Sequence, residues 1–227
     1  MKENKIIQGD CLEVMKTMPD NSIDCVITDP PYSGLNSKSK GTSRFSQENT
    51  HIEFDDMSER AFLKFVTPIF KTIYKKLKVG GHFYCFTDWK QLRNMMDCIE
   101  LCSYKVVNVI CWDKKHFGTG AGYRSQAEYI LVFSKSLPSS FNLKNVGNVL
   151  SVKKVYKKEH PHQKPTELLD ILIRNSSKEN DLILDPFAGS GSTCVAAQNL
   201  HRRFIGIELE EKYCSIARDR LKQQTLI

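Results

Sequence analysis

Short apolar runs alternate with longer stretches of helical periodicity along this chain, and that alternation predicts a parallel α/β sheet. Seven runs read as strands, at residues 5–9, 23–28, 82–87, 105–112, 129–134, 182–184 and 204–207. Five stretches read as helices, at 58–78, 89–102, 166–176, 192–201 and 211–223. The first of these carries Phe62, Phe65, Val66, Ile69, Ile73 and Leu77 at three-and-four spacing, which gathers them on one face. Ser58 is the expected cap, Pro68 the expected kink, and Gly80 with Gly81 the expected stop. Two polar segments, 33–57 and 136–163, show neither period, and loops of that length inside a compact domain are usually functional or disordered. With no internal repeat and no linker among the 227 residues, a single domain spanning 1–227 is expected.

Composition changes this picture little, but it narrows the function classes. A chain that is 41% hydrophobic can bury a core without covalent staples. Cysteines stand at 11, 25, 85, 98, 102, 111, 194 and 214 with no C-x-x-C pair, the pattern of free thiols in a reducing compartment rather than of a metal site or a disulfide framework. No apolar run approaches the ~18 residues needed to cross a bilayer, and the opening residues have no apolar signal-peptide core. A cytoplasmic protein with no membrane contact and no metal is therefore expected. The formal net charge of +7 agrees with a polyanionic partner, although mild basicity carries little weight alone.

The chemistry shows where strands end. Four of the runs finish in a carboxylate: Asp10, Asp29, Asp185 and Glu208. In open α/β sheets ligands bind outside the carboxyl ends of the strands, so these acids form a polar rim able to accept hydrogen bonds from hydroxyls and amines. A single acid there could simply cap the next helix; four together favour a site. Asp185, Pro186, Phe187, Ala188, Gly189, Ser190 and Gly191 make a turn between a strand and a helix, in which the glycines let the backbone bend and a ligand approach. Cys194 stands where a dinucleotide fingerprint has its third glycine, and the lysine of a phosphate loop is missing. Glu208 follows at about the 20-residue distance at which an acid meets ribose hydroxyls. Together these point to an adenosine-bearing ligand without a phosphate chain.

Asp29, Pro30, Pro31 and Tyr32 form the second constellation. Two prolines fix the backbone and remove its donors just past a strand, leaving the Asp29 carboxylate and the Pro30 carbonyl as fixed acceptors. Tyr32 offers a face on which a planar ring can stack. The set suits a planar ligand bearing an –NH2 group.

These residues resemble the amino-methyltransferases of DNA that use S-adenosylmethionine. Asp29-Pro30-Pro31-Tyr32 resembles their catalytic motif, and the turn from Asp185 to Thr193 resembles their cofactor loop. The order, catalytic motif first, is similar to the circularly permuted β-class. Gly9-Asp10 and the run from His160 through Lys164 to Thr166 resemble further segments of that class. The resemblance implies a Rossmann-like α/β fold with a seven-stranded, mostly parallel sheet and one reversed strand. It also implies methylation of adenine or, less often, cytosine amines in double-stranded DNA, with the base flipped out of the stack. Asp before the prolines leans toward adenine. S-adenosylmethionine is the implied cofactor, held by Asp10 and the Cys11 backbone at its adenine, Glu208 at its ribose, and Phe187 to Gly191 with Asp29 at its methionine end. Lys164 is expected to touch either cofactor or catalytic turn, and Thr166 to cap its helix. A homodimer is implied by resemblance alone. DNA contact is expected from Lys38, Lys40 and Arg44 in the first irregular segment, and from Lys153, Lys154, Tyr156, Lys157 and Lys158 in the second.

Overall fold

The structure, a computed structural model, describes residues 3–31, 59–137, 140–155 and 163–224. Its strands are β1 (Lys5–Gln8), β2 (Ile23–Thr28), β3 (Leu77–Thr87), β4 (Tyr104–Asp113), β5 (Ala127–Lys135), β6 (Val149–Ser151), β7 (Leu182–Asp185) and β8 (Arg203–Glu208). The helices are α1 (Cys11–Lys16), α2 (Glu59–Lys76), α3 (Leu92–Glu100), α4 (Thr166–Ser176), α5 (Ser192–Asn199) and α6 (Glu211–Gln224). One sheet holds the strands in the order β1-β8-β7-β2-β3-β5-β4-β6. All neighbours are parallel except that β5 runs against both β3 and β4.

The sheet is thus mostly parallel with one reversed strand, as expected, but it has eight strands rather than seven. The additional strand is β6, inside a segment expected to be irregular. Three residues are too few to show an alternating pattern, and β6 is held by its partner: Cys111, Trp112 and Asp113 pair with Val149, Leu150 and Ser151. The Trp112 indole N–H, buried in the core, donates to the Val152 carbonyl at 2.8 Å and secures that edge.

Side chains alternate along the central strands into two cores, as the two-residue period of a strand requires. Val26, Phe83, Cys85, Leu131 and Leu184 meet one face of α2 and α3, where Val66, Ile69, Ile73 and Ile99 are fully buried. Cys25, Tyr84, Ile130, Val132 and Ile183 meet α4 and α5 through Leu168, Leu172, Ala196 and Ala197. At roughly 1.5–3 kcal/mol for each large apolar side chain buried, this double layer is the main source of stability.

Gly80 and Gly81 do not end a helix. α2 runs through Pro68 and stops at Lys76, whose buried ammonium donates to Met18 O and Asp20 Oδ1, both at 2.7 Å. The glycines lie inside β3, where the pairing with β2 jumps from Ile23↔Leu77 to Cys25↔His82. A Cβ on Gly81 would stand 2.8 Å from the Asp24 carbonyl, so this bulge needs residues that let two backbones close together. The proposed Ser58 cap lies outside the described residues.

Candidate active site

Because β1, β8, β7, β2 and β3 are parallel, their carboxyl ends open on one rim, and the start of the reversed β5 joins them there. A cavity of about 180 Å3 sits on this rim. Asp10, Cys11, Asp29, Pro30, Pro31, Lys164, Asp185, Pro186, Phe187, Ala188, Gly189 and Glu208 all line it. β2 and β7 are neighbours, with Cys25 opposite Ile183 and Val26 opposite Leu184, so the two turns that follow them share the cavity despite their distance in sequence. Tyr32 lies outside the described residues, as do Lys38, Lys40, Arg44, Tyr156, Lys157 and Lys158. Lys153, exposed, and Lys154, half-buried, follow β6 after Val152.

The glycine turn is built by the backbone. Ala188 N donates to Ile207 O at 2.9 Å, and Gly191 N returns to Ala188 O at 2.7 Å. Gly191 caps α5 at φ 76°, where a Cβ would also lie 2.8 Å from the Ala217 Cβ. From α6, Arg220 donates to Ser190 O at 2.6 Å and to Ser192 Oγ at 3.1 Å. Cys194 does take the place of a fingerprint glycine, and the room appears on the opposite strand. A Cβ on Gly206 of β8 would come within 2.7 Å of the Cys194 sulfur.

Three of the strand-end acids are held by peptide N–H groups. Asp10 accepts from Glu13 N at 3.0 Å and caps α1, a helix the periodicity did not announce. Asp185 Oδ1 accepts from Phe187 N at 3.1 Å. Glu208 accepts from Gly189 N and Glu210 N, both at 2.9 Å. Burial pushes Asp185 up to about 7, with the neighbouring Asp29 and Glu208 charges adding to it, against the Thr193 and Phe187 hydrogen bonds. Burial likewise raises Glu208. Burial, with the Asp10 charge beside it, pushes the Cys11 thiol up to about 12, so it stays protonated and is no nucleophile.

Asp29 is held differently. Lys164 Nζ sits 2.5 Å from Asp29 Oδ2 and 3.3 Å from Glu128 Oε2, with the Phe86 ring 4.9 Å away. Glu128 reaches on to Lys114 at 3.2 Å. Burial alone would lower Lys164, but the Asp29 and Glu128 carboxylates outweigh it and hold the ammonium above its ordinary value. Burial alone would raise Glu128, and Lys164 and Lys114 keep it low. Lys164 thus contacts the turn after β2 through Asp29. Thr166 is the first residue of α4, and Pro165 occupies the cap position, so the expected threonine cap is not formed. Sequence inspection passed over Glu128, Phe86 and Phe65, whose ring lies 6.3 Å from that of Phe187.

A Rossmann-like sheet with a glycine turn and acid-tipped strands around one cavity defines a methyltransferase that uses S-adenosylmethionine. Two relatives from Escherichia coli (strain K12) cover most of the chain. YubD is 35% identical over 222 residues, 96% of this chain and 90% of YubD. The DNA adenine methyltransferase YhdJ is 28% identical over 256 residues, 95% of this chain and 82% of YhdJ. Among solved structures, the complex of M1.HpyAVI with S-adenosylmethionine superposes with a TM-score of 0.71 at 25% identity, covering 95% of this chain and 98% of that one. PvuII DNA methyltransferase, cytosine-N4-specific, superposes at 0.76 with 20% identity, covering 95% and 85%. The N6_N4_Mtase family model, described as DNA methylase, matches residues 23–219, and the chain belongs to that family.

The cavity suits the cofactor. S-adenosylmethionine carries a sulfonium and an ammonium, and among the described residues no lysine or arginine pairs with Asp10, Asp185 or Glu208 on the cavity wall. Three carboxyl groups without cationic partners among the described residues leave a half-buried site compatible with a cationic ligand.

Proposed function

We propose that this DNA methyltransferase acts on the N6 amine of adenine. The observation that carries the proposal is the Asp29-Pro30-Pro31 turn opening into the cavity that the glycine loop completes. An amine inside a duplex is out of reach of such a cavity, so the base is flipped out. Asp29 and the Pro30 carbonyl accept the two amine hydrogens, and Tyr32 stacks on the ring. Lys164, fixed by Glu128, holds one oxygen of Asp29 and so orients the carboxylate. Glu208 takes the ribose hydroxyls of the cofactor, Asp10 and the Cys11 backbone its adenine, and the turn from Asp185 through Pro186 and Ala188 to Gly191 its methionine end.

S-adenosylmethionine supplies an electrophilic methyl carbon whose leaving group is a neutral thioether. The amine lone pair, normally delocalised into the ring, is freed for bonding when both hydrogens are held out of plane. With the cofactor bound, the amine nitrogen would take its methyl group as the C–S pair leaves with sulfur, and the proton then shed by nitrogen would pass by way of the Asp29 carboxylate to solvent. Positioning is the largest contribution, since well-oriented reactants gain roughly 7–11 kcal/mol. Asp29, held at one oxygen by the Lys164 ammonium, keeps its other oxygen as an acceptor of hydrogen bonds.

Cytosine presents the same –NH2 group, and the family covers both bases. Incubating the protein with unmethylated DNA and labelled cofactor, then digesting to nucleosides, separates them. N6-methyladenine is expected; label in N4-methylcytosine alone would overturn the assignment of the base.

A further inference from the structure

The connection between β4 and β5, residues 114–126, plays no part in the cavity, yet it is built to present something. Its root is locked. Lys114 N donates to Gln126 O at 3.2 Å, the Gln126 amide donates to Asp113 Oδ1 at 2.6 Å, and Ser151 of β6 donates to Asp113 Oδ2 at 3.1 Å. Farther out, Gly118 N bonds Ser125 O at 2.8 Å, and Arg124 Nε donates to Gly118 O at 2.6 Å. The Arg124 guanidinium also lies 4.1 Å from the Phe117 ring centre, a cation–π contact that clamps the two arms together. Beyond this clamp a glycine-rich tip carries Tyr123, which is 110% exposed, while Phe117 remains 48% exposed.

Phe117 lies under Arg124 and beside His116, whereas Tyr123 is packed against nothing among the described residues, so the fold alone does not account for it. Residues 114–126 contain Lys114, Lys115 and Arg124 and no acid; Lys114 is paired with Glu128 and Lys115 with Asp113, so the positive charge the hairpin presents is that of Arg124. Lys153 follows β6 where β6 pairs with the end of β4, extending the same basic corner. The hairpin is also joined to the site, because Lys114 meets Glu128, Glu128 meets Lys164, and Lys164 meets Asp29. Positive charge interleaved with exposed rings, beside a cavity that takes a base, fits a nucleic acid whose bases can be stacked upon.

We propose that hairpin 114–126 lies against the DNA duplex and that Tyr123 stacks on the bases uncovered when the target nucleotide leaves the helix. The proposal rests on the base-flipping reading above. It assigns a DNA contact to a segment distinct from the two irregular stretches.

The test uses the full chain with unmethylated duplex DNA. Tyr123→Ala is expected to raise KM for DNA about tenfold, the scale of one lost base–aromatic stack, with cofactor affinity by calorimetry unchanged and Tyr123→Phe close to the parent. In Tyr123→Trp, the added tryptophan fluorescence is expected to be quenched by duplex DNA, measured against the unsubstituted chain. A flat signal together with an unchanged KM for Tyr123→Ala would overturn the proposal. So would quenching that grows with protein concentration without DNA, which would assign the hairpin to contact with a second copy. The quench reports contact whether or not methyl is transferred, so quenching without methylation supports the hairpin and removes only the enzymatic reading.

Discussion

The two halves of the catalytic rim hold their acids in opposite ways. On the side of β1, β8 and β7, Asp10, Asp185 and Glu208 are held by peptide N–H groups and keep their charge or their proton to themselves. On the side of β2, β5 and β4, Asp29, Glu128 and Asp113 are met by Lys164, Lys114 and Lys115. Peptide dipoles orient a carboxyl group without cancelling its field, whereas an ammonium cancels it. The first half therefore leaves its negative potential uncancelled, which fits a cationic cofactor such as S-adenosylmethionine. The second half is close to neutral, which suits an uncharged nucleobase.

Substitutions can break that contrast. The largest effect is expected from Asp29→Ala, which removes an acceptor aimed at the amine: turnover should fall by about 10²–10³-fold while calorimetry still shows cofactor binding. Unimpaired turnover would remove Asp29 from the mechanism. Glu208→Ala acts on the other half and should weaken cofactor binding by about 10–100-fold, the range of a hydrogen bond to a charged group, with saturating turnover much less affected. Glu128→Gln leaves Lys164 with one carboxylate and should lower turnover about five- to tenfold through a misoriented Asp29. Its cofactor affinity should not move; if affinity falls instead, Lys164 serves the cofactor half.

The last effect concerns pH. Burial raises Asp185 to about 7 from an ordinary 3.8, so its contribution to stability is fully present below pH 3.8 and is lost as pH rises through 7. A bound cation favours the ionised form, so binding releases a proton below pH 7. Cofactor affinity should rise by up to about tenfold between pH 6 and pH 8, and Asp185→Asn should flatten that slope. An identical slope in the variant would place the proton elsewhere.

Much of this was legible in the sequence, and the exceptions have physical causes. Acids at the ends of parallel strands advertise themselves, because a strand's carboxyl end is where the apolar run stops; Asp10, Asp29, Asp185 and Glu208 were found that way. Glu128 escaped because β5 is reversed and brings its beginning to the rim. Glu128 looks like a polar residue at the entrance of a strand, and only three-dimensional pairing reveals Lys164 beside it. Phe65 was legible only as one more apolar position on α2. Gly80 and Gly81 look the same in sequence whether they stop a helix or let two strands close, and the Asp24 carbonyl decides between these. β6 is too short to carry a period at all.

The vacancy that lets α5 settle onto the sheet belongs to the strand. A methyl group at Gly206 would stand 2.7 Å from both the Cys194 sulfur and Ile6 Cδ1 and 3.0 Å from the Ala188 Cβ, so trimming Cys194 alone would not make room for one. A bulkier residue at the third fingerprint position is tolerated in this fold because the facing position on β8 carries no side chain at all.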